Sequence, residues 1–165
     1  MPLLALDTSS DACSAAVLTS EACFTAFELT PRAHTQLILP MVESVLKQAH
    51  LELAQLDAIA FGRGPGAFTG VRIATGVAQG LALAANTLVL PISTLAALAQ
   101  QAYQQLQAEK ILVALDARMG EVYWGVFQVL AGQVQLQAEE QVLTPNAIDL
   151  PKDSGWIAVG NGWSA

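Results

Sequence analysis

Basic residues are scarce in this 165-residue chain, which has seven Lys and Arg against fourteen Asp and Glu and a formal net charge of −7. Proteins that bind nucleic acid unaided use clustered cations that displace counterions from phosphates. The few cations here are scattered, which argues against direct binding of tRNA or DNA. Charged residues of both signs form 13% of the chain, about half the usual share. So uncharged a surface suggests that a partner subunit covers part of it.

The side chains that metal and hydrolase chemistry require are also few. The two histidines, His34 and His50, have no second histidine three or four residues away, and no HExxH or CxxC motif occurs. A zinc site is therefore not expected. No serine lies in a GxSxG context, so serine hydrolase chemistry has no support. Cys13 and Cys23 could face each other across a hairpin, but in a reducing cytosol we favour two small buried hydrophobic residues.

Long hydrophobic runs are missing as well. The longest apolar stretch, 76–92, is interrupted by residues such as Gln79 and Pro91, and it falls short of the roughly 18 unbroken apolar residues of a membrane span. The N-terminus has no basic segment and leads directly into a strand pattern that ends at Asp7, so no signal peptide is predicted. We expect a cytoplasmic protein that makes no contact with membranes.

What the chain has is an alternation of short apolar strands and helices, typical of an α/β fold. The predicted elements of the first lobe, 1–108, are strands over 3–8, 13–19 and 23–29, a helix beginning at Thr30-Pro31, a strand over 56–61, a helix over 71–85 capped by Thr69, a strand over 88–92 and a helix from about 93 to 107. The order is βββαβαβα, and the first three strands are close enough to form an antiparallel meander.

The pattern then starts again. At a constant offset of 109 residues, Leu6-Asp7-Thr8 matches Leu115-Asp116-Ala117, and the strand over 13–17 falls on a strand over 122–126. Strands over 122–130 and 133–142 form a hairpin about Ala131-Gly132, and a further strand covers 156–159. A repeat of this length indicates duplicated units. The second lobe, 109–165, stops before the helices of the first copy recur, so we expect a truncated second lobe.

Two helices carry more apolar surface than one core stripe requires. The first is apolar along Leu37, Met41 and Val45 and along the neighbouring row Ile38, Val42 and Leu46, and Pro40 within it should bend the helix or leave a carbonyl unpaired. The second has a ridge of small residues, Gly70, Ala74, Ala78 and Ala82, with Gly76 and Gly80 on an adjacent row. Small side chains allow close approach of another backbone.

Two segments could bind a nucleotide. Asp7, Thr8 and Ser9 place a carboxylate and hydroxyls at a strand end, where together with Asp116 they could hold Mg²⁺ and a phosphate of ATP or ADP; turn chemistry is an equally good interpretation. The glycine-rich segment 62–66 lacks the GK[ST] ending of a Walker A loop. It could form an anion-binding nest at a helix start, but we favour a tight strand-to-helix turn with positive φ values.

Four stretches resemble the TsaB family, also called YeaZ, in order along essentially the whole chain. They are 4–9 (LALDTS), 31–36 (PRAHTQ), 62–73 (GRGPGAFTGVRI) and 116–123 (DARMGEVY). The resemblance implies an actin-like, sugar-kinase-like (RNase H-like) duplicated fold. It also implies a non-catalytic subunit that pairs with its paralogue TsaD, which transfers threonylcarbamoyl to N6 of the adenosine beside the tRNA anticodon. The ATPase TsaE joins that pair, tRNA is contacted only through the complex, and a homodimer forms in isolation.

The resemblance also assigns an interface and removes a metal site. TsaD-like proteins carry an HxxxH pair where this chain reads Pro91 to Ala97 without histidine, so neither that metal nor the peptidase activity once ascribed to the superfamily is expected. Family members associate through the first two helices. The interface candidates are Arg32, His34, Leu37, Met41, Val45, Arg72, Ile73, Gly76, Val77 and Gly80. The alternative function is an actin-like ATPase or phosphotransferase acting alone.

Overall fold

The computed structural model describes residues 1–164, which fall into two compact units, 1–92 and 93 onward. The first unit contains one five-stranded sheet and two helices. Its elements are β1 (Leu3–Asp7), β2 (Ala12–Leu18), β3 (Cys23–Leu29), α1 (His34–Gln48), β4 (Ala58–Gly64), α2 (Phe68–Ala85) and β5 (Leu88–Ser93). The strand order is β3-β2-β1-β4-β5. β1 pairs antiparallel with β2 and parallel with β4, and β2 pairs antiparallel with β3, so the predicted meander is confirmed.

Both helices of this unit begin elsewhere than predicted. α1 begins at His34 after Ala33, which gives no side-chain cap, whereas Thr30 donates its hydroxyl to the Glu28 carboxylate at 2.7 Å. α2 begins at Phe68, so Thr69 lies in its first turn and is not the cap. Serine and threonine bond to whichever polar group is nearest, and here a local carboxylate was the better partner for Thr30.

The core of the first unit lies between the sheet and the inner faces of α1 and α2. Ile38, Val42 and Val45 of α1 and the small residues of α2 pack with Leu4 and Ile59 of the central strands. Pro40 lies inside α1, which runs on past it, and is exposed. Proline in a helix interior lacks the N–H that would bond to the carbonyl four residues earlier. That carbonyl belongs to Gln36, which is also exposed, so water can satisfy it.

The second unit has a sheet with α3 packed on it. Its elements are α3 (Thr94–Leu106), β6 (Lys110–Arg118), β7 (Glu121–Leu130), β8 (Gln133–Leu136), β9 (Gln141–Leu143) and β10 (Trp156–Val159). The strand order is β10-β6-β7-β8, and β9 also pairs with β7. The strand predicted over 133–142 is thus two strands. The segment between them brings Glu140 to Ser93, whose hydroxyl donates to its carboxylate.

The helix α3 belongs with the second unit, whereas the sequence analysis assigned it to the first lobe. Its buried residues Leu95 and Ala99 pack with Ile111 and Phe127 of β6 and β7. The division therefore falls between 92 and 93 rather than between 108 and 109. The start of α3 is as predicted, because Ser93 is its N-cap and accepts a bond from the Ala96 amide at 3.2 Å.

The two sheets repeat one arrangement, as the 109-residue offset predicted. β6 pairs antiparallel with β7 and parallel with β10, as β1 pairs with β2 and β4. The repeat extends to a match that the sequence analysis missed. Residues 59–64 read IAFGRG and residues 157–162 read IAVGNG. The first run lies within β4 and reaches its end, and the second covers the end of β10 and the three residues after it. A comparison at the constant offset of 109 residues does not align these two runs, because the connections before β4 and β10 differ in length.

Candidate functional site

The end of β1 is bonded to its own chain. Asp7 Oδ1 accepts the backbone N–H and the hydroxyl of Ser9, both at 2.8 Å. The Thr8 hydroxyl donates to the Gly70 carbonyl at 2.7 Å. Thr8 is fully buried and Ser9 is 3% exposed. Three residues that were candidates for a nucleotide phosphate therefore hold the turn and the start of α2 together.

The glycines of the β4–α2 connection fit against this strand end. A Cβ on Gly62 would overlap the Asp7 carboxylate, one on Gly66 would overlap the Ser9 carbonyl oxygen, and one on Gly70 would overlap the Thr8 carbonyl oxygen. Only Gly64 has a positive φ, 91°. The predicted turn is present, but Gly62 and Gly66 of the turn, like Gly70 in the first turn of α2, are required by close approach to Asp7, Ser9 and Thr8 and not by left-handed φ values.

The second strand-end carboxylate, Asp116, is engaged within its own unit. Its Oδ1 accepts the Arg118 backbone N–H at 2.7 Å, and its Oδ2 lies 3.2 Å from Arg118 Nη1. The Asp116 backbone N–H donates to Asn161 Oδ1 at 3.0 Å. Within residues 1–164, no group of three or more His, Cys, Asp or Glu side chains is arranged to hold a metal ion.

The structure changes the assignment of α1 residues to a partner interface. Met41 and His34 are 9% exposed and Val45 is fully buried, so these three side chains belong to the core of their own unit. Leu37 packs against that core and is half-buried, whereas Arg32 is exposed. The sequence pattern showed two apolar rows, but a helix lying on a sheet beside a second helix uses both rows internally.

The helix α2 has the exposed apolar surface. Its buried residues are the predicted ridge Gly70, Ala74, Ala78 and Ala82, which faces inward. The outer face of α2 is defined by the exposed residues Phe68, Arg72, Gly76, Gly80 and Leu83. The interface candidates Ile73 and Val77 lie at its edge, where they are half-buried and pack against the core of their own unit. Phe68 is 72% and Leu83 is 85% exposed, and neither was among the sequence candidates. A Cβ on Gly76 or Gly80 would meet nothing within 4 Å, so another backbone could approach there.

The sequence analysis predicted no segment apolar enough to span a membrane, but α2 meets the criterion of length and composition for such a span. It has 18 residues, a mean hydropathy of 1.2 and 22% of its residues buried. Its inner face nevertheless fits a protein surface, because Gly70 touches the backbone of Thr8 too closely for any side chain.

Arg72 is the only charged residue of α2. Its guanidinium carbon lies 3.3 Å from the centroid of the Phe68 ring, a stacked cation–π arrangement. Its Nη1 donates to the Phe68 carbonyl at 3.1 Å. The positive charge thus contacts, on the outer face, a residue one helix turn earlier.

The fold is the actin-like, sugar-kinase-like one that was predicted. Each sheet has a strand with an Asp at or near its end, Asp7 in β1 and Asp116 in β6, and that strand lies between an antiparallel and a parallel neighbour. A ROK hexokinase from Thermus thermophilus shares the fold, with a TM-score of 0.51 at 19% identity over 82% of this chain and 49% of that one.

Comparison with known proteins then identifies the family. A protein-family model for TsaD, described as tRNA N6-adenosine threonylcarbamoyltransferase, matches residues 27–158. The tRNA threonylcarbamoyladenosine biosynthesis protein TsaB of Escherichia coli K12 is 46% identical over 169 residues, covering 100% of this chain and 73% of that protein. YeaZ from Pseudomonas aeruginosa superposes with a TM-score of 0.95 at 51% identity, covering 99% of this chain and 77% of that structure. The chain belongs to the TsaB (YeaZ) family, and this membership supports a role in tRNA threonylcarbamoyladenosine biosynthesis.

Proposed function

We propose that this chain is a non-catalytic subunit of the complex that installs threonylcarbamoyl on N6 of the tRNA adenosine beside the anticodon. It binds a TsaD-type paralogue through the outer face of α2, and a TsaE-type ATPase joins the pair. The observation that carries the proposal is this outer face, where Phe68 and Leu83 flank the open positions at Gly76 and Gly80.

The physical argument is that this face is costly to leave in water. Burying a large apolar side chain such as Phe68 or Leu83 yields about 1.5–3 kcal/mol. Glycines between them let a partner helix approach closely, which increases the number of van der Waals contacts. Interfaces are also poor in charged residues at their centre, and Arg72 is the only charge on the helix. In the absence of the paralogue, the same face would support a homodimer.

The hydrogen bonds of the carboxylates Asp7 and Asp116 support the proposal that this subunit is not catalytic. Asp7 bonds to Ser9, and Asp116 bonds to Arg118. Both therefore contribute to turn structure, which was one of the two interpretations of the sequence. A net charge of −7 disfavours direct contact with a polyanion, so contact with tRNA is assigned to the complex.

The test is Gly76→Leu. Gly76 lies at the middle of the outer face with open space around it, so a leucine there leaves the fold intact and blocks the close approach of a partner helix. Affinity for the purified TsaD-type subunit from the same organism should fall by at least about 100-fold, or about 2.7 kcal/mol. Depletion of the protein in cells should lower the modified nucleoside, and Gly76→Leu should fail to restore it.

The matched control is Ala97→Leu, which adds similar bulk at an exposed position of α3. It should bind the TsaD-type subunit as the unmodified protein does. Undiminished binding by Gly76→Leu would show that the α2 outer face is not the interface.

A further inference from the structure

Arg72 is an uncompensated charge at the edge of an apolar surface. Among residues 1–164, no carboxylate forms an ion pair with it. Its partners are the ring and the carbonyl oxygen of Phe68. A guanidinium has five N–H donors, and the Phe68 carbonyl uses one of them. The others are available to a group from outside the chain.

A partner that covers the α2 outer face would take this charge out of water. Removing a guanidinium from water is costly unless an opposite charge is bonded to it. A carboxylate is the matching group, because its two oxygens accept from the planar fork of an arginine. The stack on Phe68 also fixes the arginine before binding, so less side-chain entropy is lost when the carboxylate arrives.

Self-pairing through this helix cannot supply that carboxylate, because 68–85 contains no Asp or Glu. Two copies joined α2 to α2 would bury two arginines, each facing a helix without an acidic residue. A partner helix with an Asp or Glu at this position would avoid that cost. An interface of this kind discriminates by leaving the wrong pairing with an unpaired charge.

We propose that Phe68 and Arg72 form a preformed carboxylate-binding pair that selects an acidic residue on the docked subunit, so that the heterodimer is favoured over the homodimer that forms through the same face when the paralogue is absent. The inference rests on the proposed function, since it names the chemistry of the surface that docks on α2. Phe68 is the positioning residue, and Arg72 makes the contact.

The experiment measures the dissociation constant for the TsaD-type subunit from the same organism at about 50 mM and about 300 mM salt. Arg72→Ala should weaken binding at least about tenfold and reduce its salt dependence, whereas Arg72→Lys, which keeps the charge but not the planar fork, should recover only part of the affinity. Self-association of Arg72→Ala, measured by sedimentation, should stay the same or tighten. The control variant Lys152→Ala removes an exposed positive charge elsewhere, and it should change neither the heterodimer dissociation constant nor self-association.

Phe68→Leu tests the stack, because leucine keeps the apolar side chain and removes the ring face. As a single substitution it should weaken heterodimer binding. When it is added to Arg72→Ala, it should weaken binding little further, because two residues that act together give non-additive effects.

Unchanged heterodimer affinity in Arg72→Ala, or an equal loss of self-association and heterodimer binding, would overturn the inference. Additive effects of Phe68→Leu and Arg72→Ala would also overturn it. If Gly76→Leu abolishes binding while Arg72→Ala does not weaken it, the proposed interface stands and the carboxylate contact is wrong. If the unmodified chain does not bind the TsaD-type subunit at all, both proposals fail together.

Discussion

Thr8 and Gly70 are joined by a buried hydrogen bond of 2.7 Å from the threonine hydroxyl to the glycine carbonyl, and the glycine has no room for a side chain against the Thr8 carbonyl oxygen. This contact fixes the start of α2 on the end of β1. The helix that presents the proposed interface is therefore positioned by a residue that the sequence analysis considered as a candidate for binding a nucleotide phosphate.

Two glycines of α2 should respond oppositely to the same substitution. Gly70→Ala places a Cβ against the Thr8 backbone and should destabilise the fold by about 3 kcal/mol or more, the cost of overpacking. Gly76→Ala adds a methyl group in open space and should stabilise it by about 1 kcal/mol, the gain in helix propensity. Urea unfolding of the two variants measures both values. Equal changes in unfolding free energy for the two variants would contradict the close contact between Gly70 and the Thr8 backbone.

The bond between Asp7 and Ser9 predicts a structural role for the carboxylate. Asp7→Ala should lose about 1–2 kcal/mol of unfolding free energy because both bonds to Ser9 are removed, and Asp7→Asn should lose less because its amide oxygen still accepts. Calorimetry of the unmodified protein with ATP and Mg²⁺ should show no saturable heat. Tight binding that disappears in Asp7→Ala would instead support the stand-alone nucleotide enzyme.

The two thiols should differ sharply in reactivity. Cys13 is fully buried and Cys23 is exposed, and they occupy different register positions, Cys13 opposite Glu28 and Cys23 opposite Leu18. Burial raises the pKa of the Cys13 thiol, and the nearby Glu28 and Asp7 carboxylates raise it further. A disulfide reagent at neutral pH should label one thiol per chain rapidly and the second only on unfolding, since the thiolate is the reactive form.

Cys23→Ser provides the control for the thiol experiment, because it should remove the rapid phase and leave the slow one. Rapid labelling that persists in Cys23→Ser would show that Cys13 is accessible. The prediction of two small buried cysteines is thus confirmed for Cys13 and wrong for Cys23.

Much of the fold followed from local pattern. The order of elements was predicted except that β8 and β9 were taken as one strand, and β3 and β10 were placed with their observed ends, because short apolar runs between turn residues are strong signals for strands. The starts of α1 and α2 were wrong, because Thr30 and Thr69 fit the rule for capping residues equally well whether or not they cap. Which polar group a hydroxyl meets depends on tertiary placement.

The exposure of the candidate interface residues was predicted less well, for a related reason. Periodicity shows that α1 has two apolar rows, but it cannot show that the unit's own core consumes both. Met41→Glu would consequently unfold the chain as readily as it would block a partner. The outer face of α2 was predicted through Gly76 and Gly80, whereas Phe68 and Leu83 went unnoticed because exposed apolar residues carry no distinctive spacing.

The last prediction concerns the contact that fastens β10 to β6. Asp153 accepts from Lys110 Nζ at 2.6 Å and from the Trp156 indole N–H at 3.0 Å. The bond from Lys110, followed by that from Trp156, lowers the pKa of Asp153 below its ordinary value of 3.8. A carboxyl with a lower pKa in the folded chain stabilises the fold above its unfolded pKa and loses that contribution as the pH falls through the folded pKa.

Asp153→Asn should therefore destabilise the chain slightly at neutral pH. The difference from the unmodified protein should begin to shrink below about pH 4, where the carboxyl of the unfolded chain becomes protonated, and should vanish once the pH is below the lowered pKa of the folded chain. Added salt should shrink the difference at neutral pH, because the pair is exposed and is screened. Urea unfolding at several pH values measures this, with Asp149→Asn, the same change at another exposed carboxylate, as the control. A difference that persists unchanged at pH 3 would have to come from the lost shape of the side chain and not from its charge.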